Sequence, residues 1–211
     1  MSSSHETFSG SKEVLIQSRI YRTTGIMTVI IAFLRGINVG GHKRIAMTDL
    51  VQLCTSLGFD NVRTYLQSGN VLFGSPERDP GRLSAMISEN IFAKFGFSVN
   101  VILRTSDELR RIILTNPFAK EGLDPDKYHV TFLSGIPSEE FPGNGMEGKD
   151  GPDRYVIIGR EVYLFCPDGY GRTKFSTPFF EKNLGVVATT RNWKTITTLA
   201  EMAEDRHDQT A

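Results

Sequence analysis

From Thr28 onward the apolar positions of the chain recur with a regular period. Val29–Leu34 is apolar at every position, which predicts a strand covered on both faces. Leu50, Leu53, Cys54 and Leu57 stand at i, i+3, i+4 and i+7, the spacing of a one-faced helix, and Gly58 follows where a left-handed residue ends it. Val62–Leu66 and Asn70–Phe73 predict two short strands around Ser68-Gly69, a hairpin. Leu83, Met86, Ile87 and Ile91 predict a second helix closed by Gly96, and Ser98–Leu103 a fourth strand. The order β-α-β-β-α-β is that of a ferredoxin-like plait.

The remainder repeats this order less clearly. Ser106 is read as the cap of a helix carrying Leu109, Ile112 and Ile113, which stops at Asn116-Pro117. Tyr128–Leu133 predicts a strand, and glycine-rich Pro137–Pro152 a long loop. Tyr155–Ile158 and Glu161–Cys166 flank the two-residue connection Gly159-Arg160. Thr177-Pro178 starts a helix that Gly185 ends, Val186–Thr189 predicts a strand, and Asn192 caps a last helix bearing Ile196, Leu199 and Ala200. The expectation is an α+β protein, a tandem duplication of two ferredoxin-like (βαββαβ) halves packed together, spanning 27–104 and 105–204. Residues 1–26, serine-rich and weakly patterned, are read as a poorly ordered leader ahead of a start-like Met27, and 205–211 as a polar tail.

Composition narrows the class. The 211 residues carry 24 basic and 24 acidic side chains, a net charge of zero, with 39% hydrophobic and 23% charged residues. That is ordinary globular usage, and it argues against bulk electrostatic binding of nucleic acid or membrane while allowing a local basic patch. No apolar run approaches the ~18 residues of a membrane span. Cys54 and Cys166 are two separate thiols without a framework, which reads as reduced and cytoplasmic. The four histidines are scattered, so no metal and no cofactor motif is expected.

Four stretches carry candidate chemistry. Leu34–Arg44 places Gly36, Gly40 and Gly41 beside Arg35 and Asn38 directly after a strand, the makings of an anion-binding loop or of a tight turn with solvated charges. It is neither a Walker loop nor a dinucleotide fingerprint. Gln67, Ser68 and Asn70 line a site beside it or cap a hairpin. Asp168–Ser176 brings Lys174 to a helix start, where the dipole favours anions. Arg191, Asn192 and Trp193 mark another helix start, Trp193 reading as a ligand-stacking ring or a core anchor.

Together the strings LRGINVGGHKRIAM, RTYLQSGNVLF, VTFLSG, DGYGRTKF and ATTRNW resemble the family named domain of unknown function 1697, whose members are mostly bacterial. The resemblance runs from about Met27 to Met202 and leaves out residues 1–26. It implies the family fold, a duplication of ferredoxin-like halves, and no activity. Where the family usually carries serine before the lysine of one motif, this chain has Thr173-Lys174, which keeps a hydroxyl; the next position, commonly leucine, is Phe175. His42-Lys43-Arg44 is among the freer parts of the family pattern, so Arg35, Gly36, Asn38, Gly40 and Gly41 rank above it.

The leading functional expectation is a binding protein for a phosphate-bearing or other anionic small molecule, nucleotide-like, at Arg35, Gly36, Asn38, Gly40, Gly41, Ser68, Asn70, Lys174, Arg191 and Asn192. A nucleic-acid-binding plait and a transferase-like enzyme acting on a phosphorylated substrate are the alternatives. The first lacks an aromatic, basic strand motif and the second an evident acid–base pair.

Overall fold

A computed structural model describes residues 27–137, 146–147 and 152–205 of the chain. The leader and the residues after Asp205 lie outside them. So does most of the Pro137–Pro152 loop.

The first sheet is built from β1 (Thr28–Leu34), β2 (Asp60–Tyr65), β3 (Asn70–Ser75) and β4 (Val101–Thr105), in the order β2-β3-β1-β4, all antiparallel. Helices α1 (Met47–Ser56) and α2 (Pro80–Phe95) cover one face. Their apolar stripes, Leu50, Leu53 and Cys54 on α1 and Leu83, Ile87 and Ile91 on α2, pack on Ile30, Ala32, Val71 and Phe73. Gly58 and Gly96 take positive φ after these helices, as their positions demand.

The second sheet has β5 (Tyr128–Leu133), the short β6 (Met146–Glu147), β7 (Arg154–Ile158), β8 (Glu161–Phe165) and β9 (Ala188–Asn192), in the order β6-β7-β8-β5-β9. Helix α4 (Thr177–Leu184) covers its outer face through Phe180 and Leu184. The two sheets meet over a shared core in which Phe33 stacks on Phe132, ring centroids 4.1 Å apart. Helices α3 (Ser106–Leu114) and α5 (Trp193–Glu204) close that core with Leu109, Ile112, Ile196, Leu199 and Ala203. Both faces of β1 are therefore buried, the reason its sequence does not alternate.

The sequence boundaries shift in places. The cap of α3 is Thr105, not Ser106: Thr105 Oγ1 accepts from Glu108 N–H while Glu108 Oε2 accepts from Thr105 N–H, a reciprocal capping box. Strand β9 runs to Asn192, later than expected, because Asn192 both pairs with His129 and caps α5 through Thr195 N–H. No helix of the described residues is long and apolar enough to cross a membrane.

Candidate functional site

The glycine-rich residues after β1 form a small hairpin, not an open cradle. Asn38 N–H donates to the Lys43 carbonyl at 3.2 Å and His42 N–H to that of Val39 at 3.0 Å. Gly40 and Gly41 sit between at φ 58° and 80°, the two consecutive positive values of a type I′ connection. Asn38 clamps the hairpin down. Its Nδ2 donates to the Ile45 and Gln67 carbonyls at 3.0 and 2.8 Å, and its Oδ1 accepts from Ile45 N–H at 2.9 Å.

Those bonds fasten the hairpin to the β2–β3 turn, which is itself held from beneath. Gly69 lies at φ 76° against Leu34 and Ile37, where a Cβ would come within 2.8 Å of both side chains. Asn70 is fully buried, donating to the Tyr65 carbonyl and Ser68 Oγ and accepting from Arg191 Nε at 2.6 Å.

Arg191 crosses from the second sheet into the first. Besides Asn70, it donates through Nη1 to Thr189 Oγ1 and the Thr190 carbonyl, and through Nη2 to the Leu34 and Ser68 carbonyls. Every one of its five N–H groups has a protein acceptor. Burial pulls its pKa down to about 10. The expectation that Arg191 serves a ligand gives way to an internal role, because no donor remains to offer.

Arg35 is also engaged. Its Nε and Nη2 both reach the Glu181 carboxylate, at 2.6 and 2.5 Å, so its charge is balanced by α4. Asn192 uses its Oδ1 as a cap. Lys174 is exposed and has a contact partner of its own. Trp193 packs edge-on to Tyr128 at 5.8 Å, a core anchor. The third stretch joins through hydroxyls: Tyr170 Oη accepts from Thr177 N–H and donates to Thr190 Oγ1, while the His129 ring stacks on Tyr170 at 4.9 Å. The structure thus ties Arg35, Asn38, Ser68, Asn70 and Arg191 into one connected region, mostly by using up their polar groups.

One cation there is left over. Arg44 is exposed and makes no ion pair or hydrogen bond among the described residues, whereas Lys43 donates to the Ser98 carbonyl. Arg44 lines a shallow cavity of about 380 Å3 with Asn38, Gly41, Ile45, Ala46 and Gln67. Ala46 is the N-cap of α1 and offers no side-chain acceptor, so the first-turn N–H groups of α1 begin uncapped at the edge of this cavity. The sequence ranks Arg44 below Arg35 and Asn38, whereas the structure engages those two side chains and leaves that of Arg44 without a bond among the described residues. The signal available was an alanine, not a Ser, Thr, Asp or Asn, standing two residues after a basic pair at a helix start.

Residues 27–163 match the family described as protein of unknown function (DUF1697). The chain belongs to the DUF1697 family. A solved structure of a conserved bacterial protein from Streptococcus pneumoniae is 24% identical and superposes with a TM-score of 0.62, over 84% of this chain and 99% of that one, so the two share a fold. Comparison with curated proteins gave no match.

Within this DUF1697 member, the cavity beside Arg44 offers a guanidinium, the Gln67 side-chain amide and the start of a helix, with Asn38 holding the wall rather than facing a ligand. These are donors, suited to hold an anion. Among the described residues no cluster of three or more His, Cys, Asp or Glu is placed to hold a metal. Cys54 and Cys166 are both buried, which pushes their thiols up to about 12 and about 11, so neither is a ready nucleophile.

Proposed function

We propose that this protein binds a phosphate-bearing small molecule, nucleotide-like in class, in the cavity formed by the glycine hairpin, the β2–β3 turn and the N-terminus of α1. The observation that carries this reading is Arg44, an uncommitted guanidinium beside an uncapped helix start. The hairpin is stiff because Asn38 makes three hydrogen bonds, so the site is preorganised and little ordering is required on binding. Asp49 in the first turn of α1 opposes the anion and keeps the affinity modest. Nothing lining the cavity is a nucleophile or acid–base pair, which favours binding over transfer chemistry.

The test is a thermal-shift screen of nucleotides and sugar phosphates, repeated on Arg44→Ala. A charge-assisted hydrogen bond is worth about 1.5–3 kcal/mol, so a hit should weaken roughly tenfold or more in Arg44→Ala with its melting temperature unchanged. Absence of any anionic hit on the wild type would remove the reading.

The nucleic-acid alternative finds less support. The sheet face that plaits offer to RNA carries Phe33, Leu72 and Ile102 here, all buried in the shared core. The two halves themselves are read as copies of one ferredoxin-like plait, divided near Arg104. The strand orders β2-β3-β1-β4 and β7-β8-β5-β9 correspond, and Leu34 N–H to the Gly69 carbonyl is matched by Leu133 N–H to that of Arg160.

A further inference from the structure

A second cleft lies at the opposite end of β1 from the glycine hairpin, with a volume of about 370 Å3. Its apolar wall is Ile30, Leu83, Leu103 and Pro80, and its polar wall includes Arg78, Arg104, Arg111, Arg160 and Glu108. Two of the arginines are balanced: Arg104 pairs with Glu161 at 2.7 Å and Arg160 with Glu108 at 2.5 Å. Arg78 and Arg111 are exposed, and neither side chain has a hydrogen bond or ion pair among the described residues. Glu77 and Asp79, which flank Arg78, spend their carboxylates on backbone N–H groups before and at the start of α2 and on Arg82.

Arg104, by contrast, is committed to the seam between the sheets. It is 1% exposed, and its guanidinium donates through Nε to Glu161, through Nη1 to the Leu103 carbonyl, and through Nη2 to the Leu133 and Arg160 carbonyls. A second Nη1 proton has no acceptor among the described residues. At the corresponding donor Arg191 uses Thr189 Oγ1, two residues earlier; two residues before Arg104 stands Ile102, which has no oxygen to give. The Arg104 guanidinium lies over Phe132 on the sheet face opposite Ile30, Leu83 and Leu103, so Arg78 and Arg111 are the cations that the cleft presents. We propose that this cleft binds a phosphomonoester carried on an apolar body, its dianion between Arg78 and Arg111 and its body against Ile30, Leu83 and Leu103. The volume falls within the range of small-molecule sites and the wall chemistry is divided as such a ligand requires.

This site is independent of the one at Arg44. The probe is phenyl phosphate, titrated against the full chain by calorimetry, with inorganic phosphate and phenol as its two halves. Phenyl phosphate should bind at least tenfold more tightly than either half. Arg78→Ala and Arg111→Ala should each weaken it about fivefold or more with the melting temperature kept, since both side chains are exposed and unpaired. Arg44→Ala should leave it unchanged. Loss on Arg44→Ala with retention on Arg78→Ala and Arg111→Ala would move the ligand to the hairpin site and overturn the proposal, as would phenyl phosphate binding no better than inorganic phosphate or not at all.

Discussion

Arg104 and Arg191 make matching bonds in opposite directions across the two sheets. Arg104, on the last strand of the first sheet, donates to the Leu133 carbonyl at the end of β5, to the Arg160 carbonyl in the β7–β8 turn, and to Glu161 at the start of β8. Arg191, on the last strand of the second, donates to the Leu34 carbonyl at the end of β1, to the Ser68 carbonyl in the β2–β3 turn, and to Asn70 at the start of β3. Each lies over a phenylalanine of the Phe33–Phe132 stack, Arg104 over Phe132 at 5.6 Å and Arg191 over Phe33 at 5.5 Å. These two side chains lock the sheets together and, through Ser68 and Asn70, hold the turn on which the hairpin rests.

Removing one of them should therefore act on stability first. Arg191→Ala takes the donor from three carbonyls (Leu34, Ser68 and Thr190), from Thr189 Oγ1 and from the buried Asn70 amide oxygen, and should lower unfolding free energy by about 3–5 kcal/mol. Arg191→Lys should recover little of this, because one ammonium does not replace a five-donor fork. Chemical denaturation measures both. A loss under 1 kcal/mol for Arg191→Ala would show that the network is not a lock.

Gly69→Ala is expected to destabilise by about 2 kcal/mol or more, since the residue would be held at φ 76° with its Cβ against Leu34 and Ile37. Gly36→Ala is the control. It shares a positive φ, yet nothing stands within 4 Å of its Cβ position, so the difference between the two variants isolates the packing contribution.

Stability should also carry a histidine signature. Burial lowers the His129 pKa below its ordinary 6.5, with the Lys127 carbonyl opposing weakly. The unfolded chain then takes up a proton at higher pH than the folded one. The folded state is at full strength above about pH 6.5 and weakens as pH falls toward the lower folded value. Between pH 7 and 5 the melting temperature of His129→Gln should fall less steeply than that of the wild type; parallel slopes would contradict this.

Most of the scaffold was legible in the sequence, and the reasons are local. The unbroken apolar run of β1 announced burial on two faces, and Gly58, Gly96 and Gly185 marked helix ends that they do close. The site was less legible. Arg191 beside a helix start looks the same in sequence whether it meets solvent or the carbonyls of a strand 157 residues earlier, and only the packing of the sheets decides. Asn38 likewise reads as a ligand donor until Ile45 and Gln67 are seen to occupy it. The Gly40-Gly41 pair was open to a better reading, since two adjacent positive φ positions are what a two-residue hairpin needs.

A chain beginning at Met27 should melt within a few degrees of the full-length protein, because serine-rich sequence buries too little apolar area to offset ordering at about 1–2 kcal/mol per residue. A large loss in differential scanning calorimetry would show that Val14, Leu15 and Ile16 contribute to the core.

The hairpin site is tested most directly by amide chemical-shift mapping with the tightest nucleotide or sugar phosphate of the thermal-shift screen. The expected result is a set of perturbed backbone amides confined to Asn38–Thr48 and Leu66–Ser68, with the response lost in Arg44→Ala while the rest of the spectrum is unchanged. Perturbation centred elsewhere, or an undiminished response in Arg44→Ala, would contradict the assignment of that cavity as the anion site.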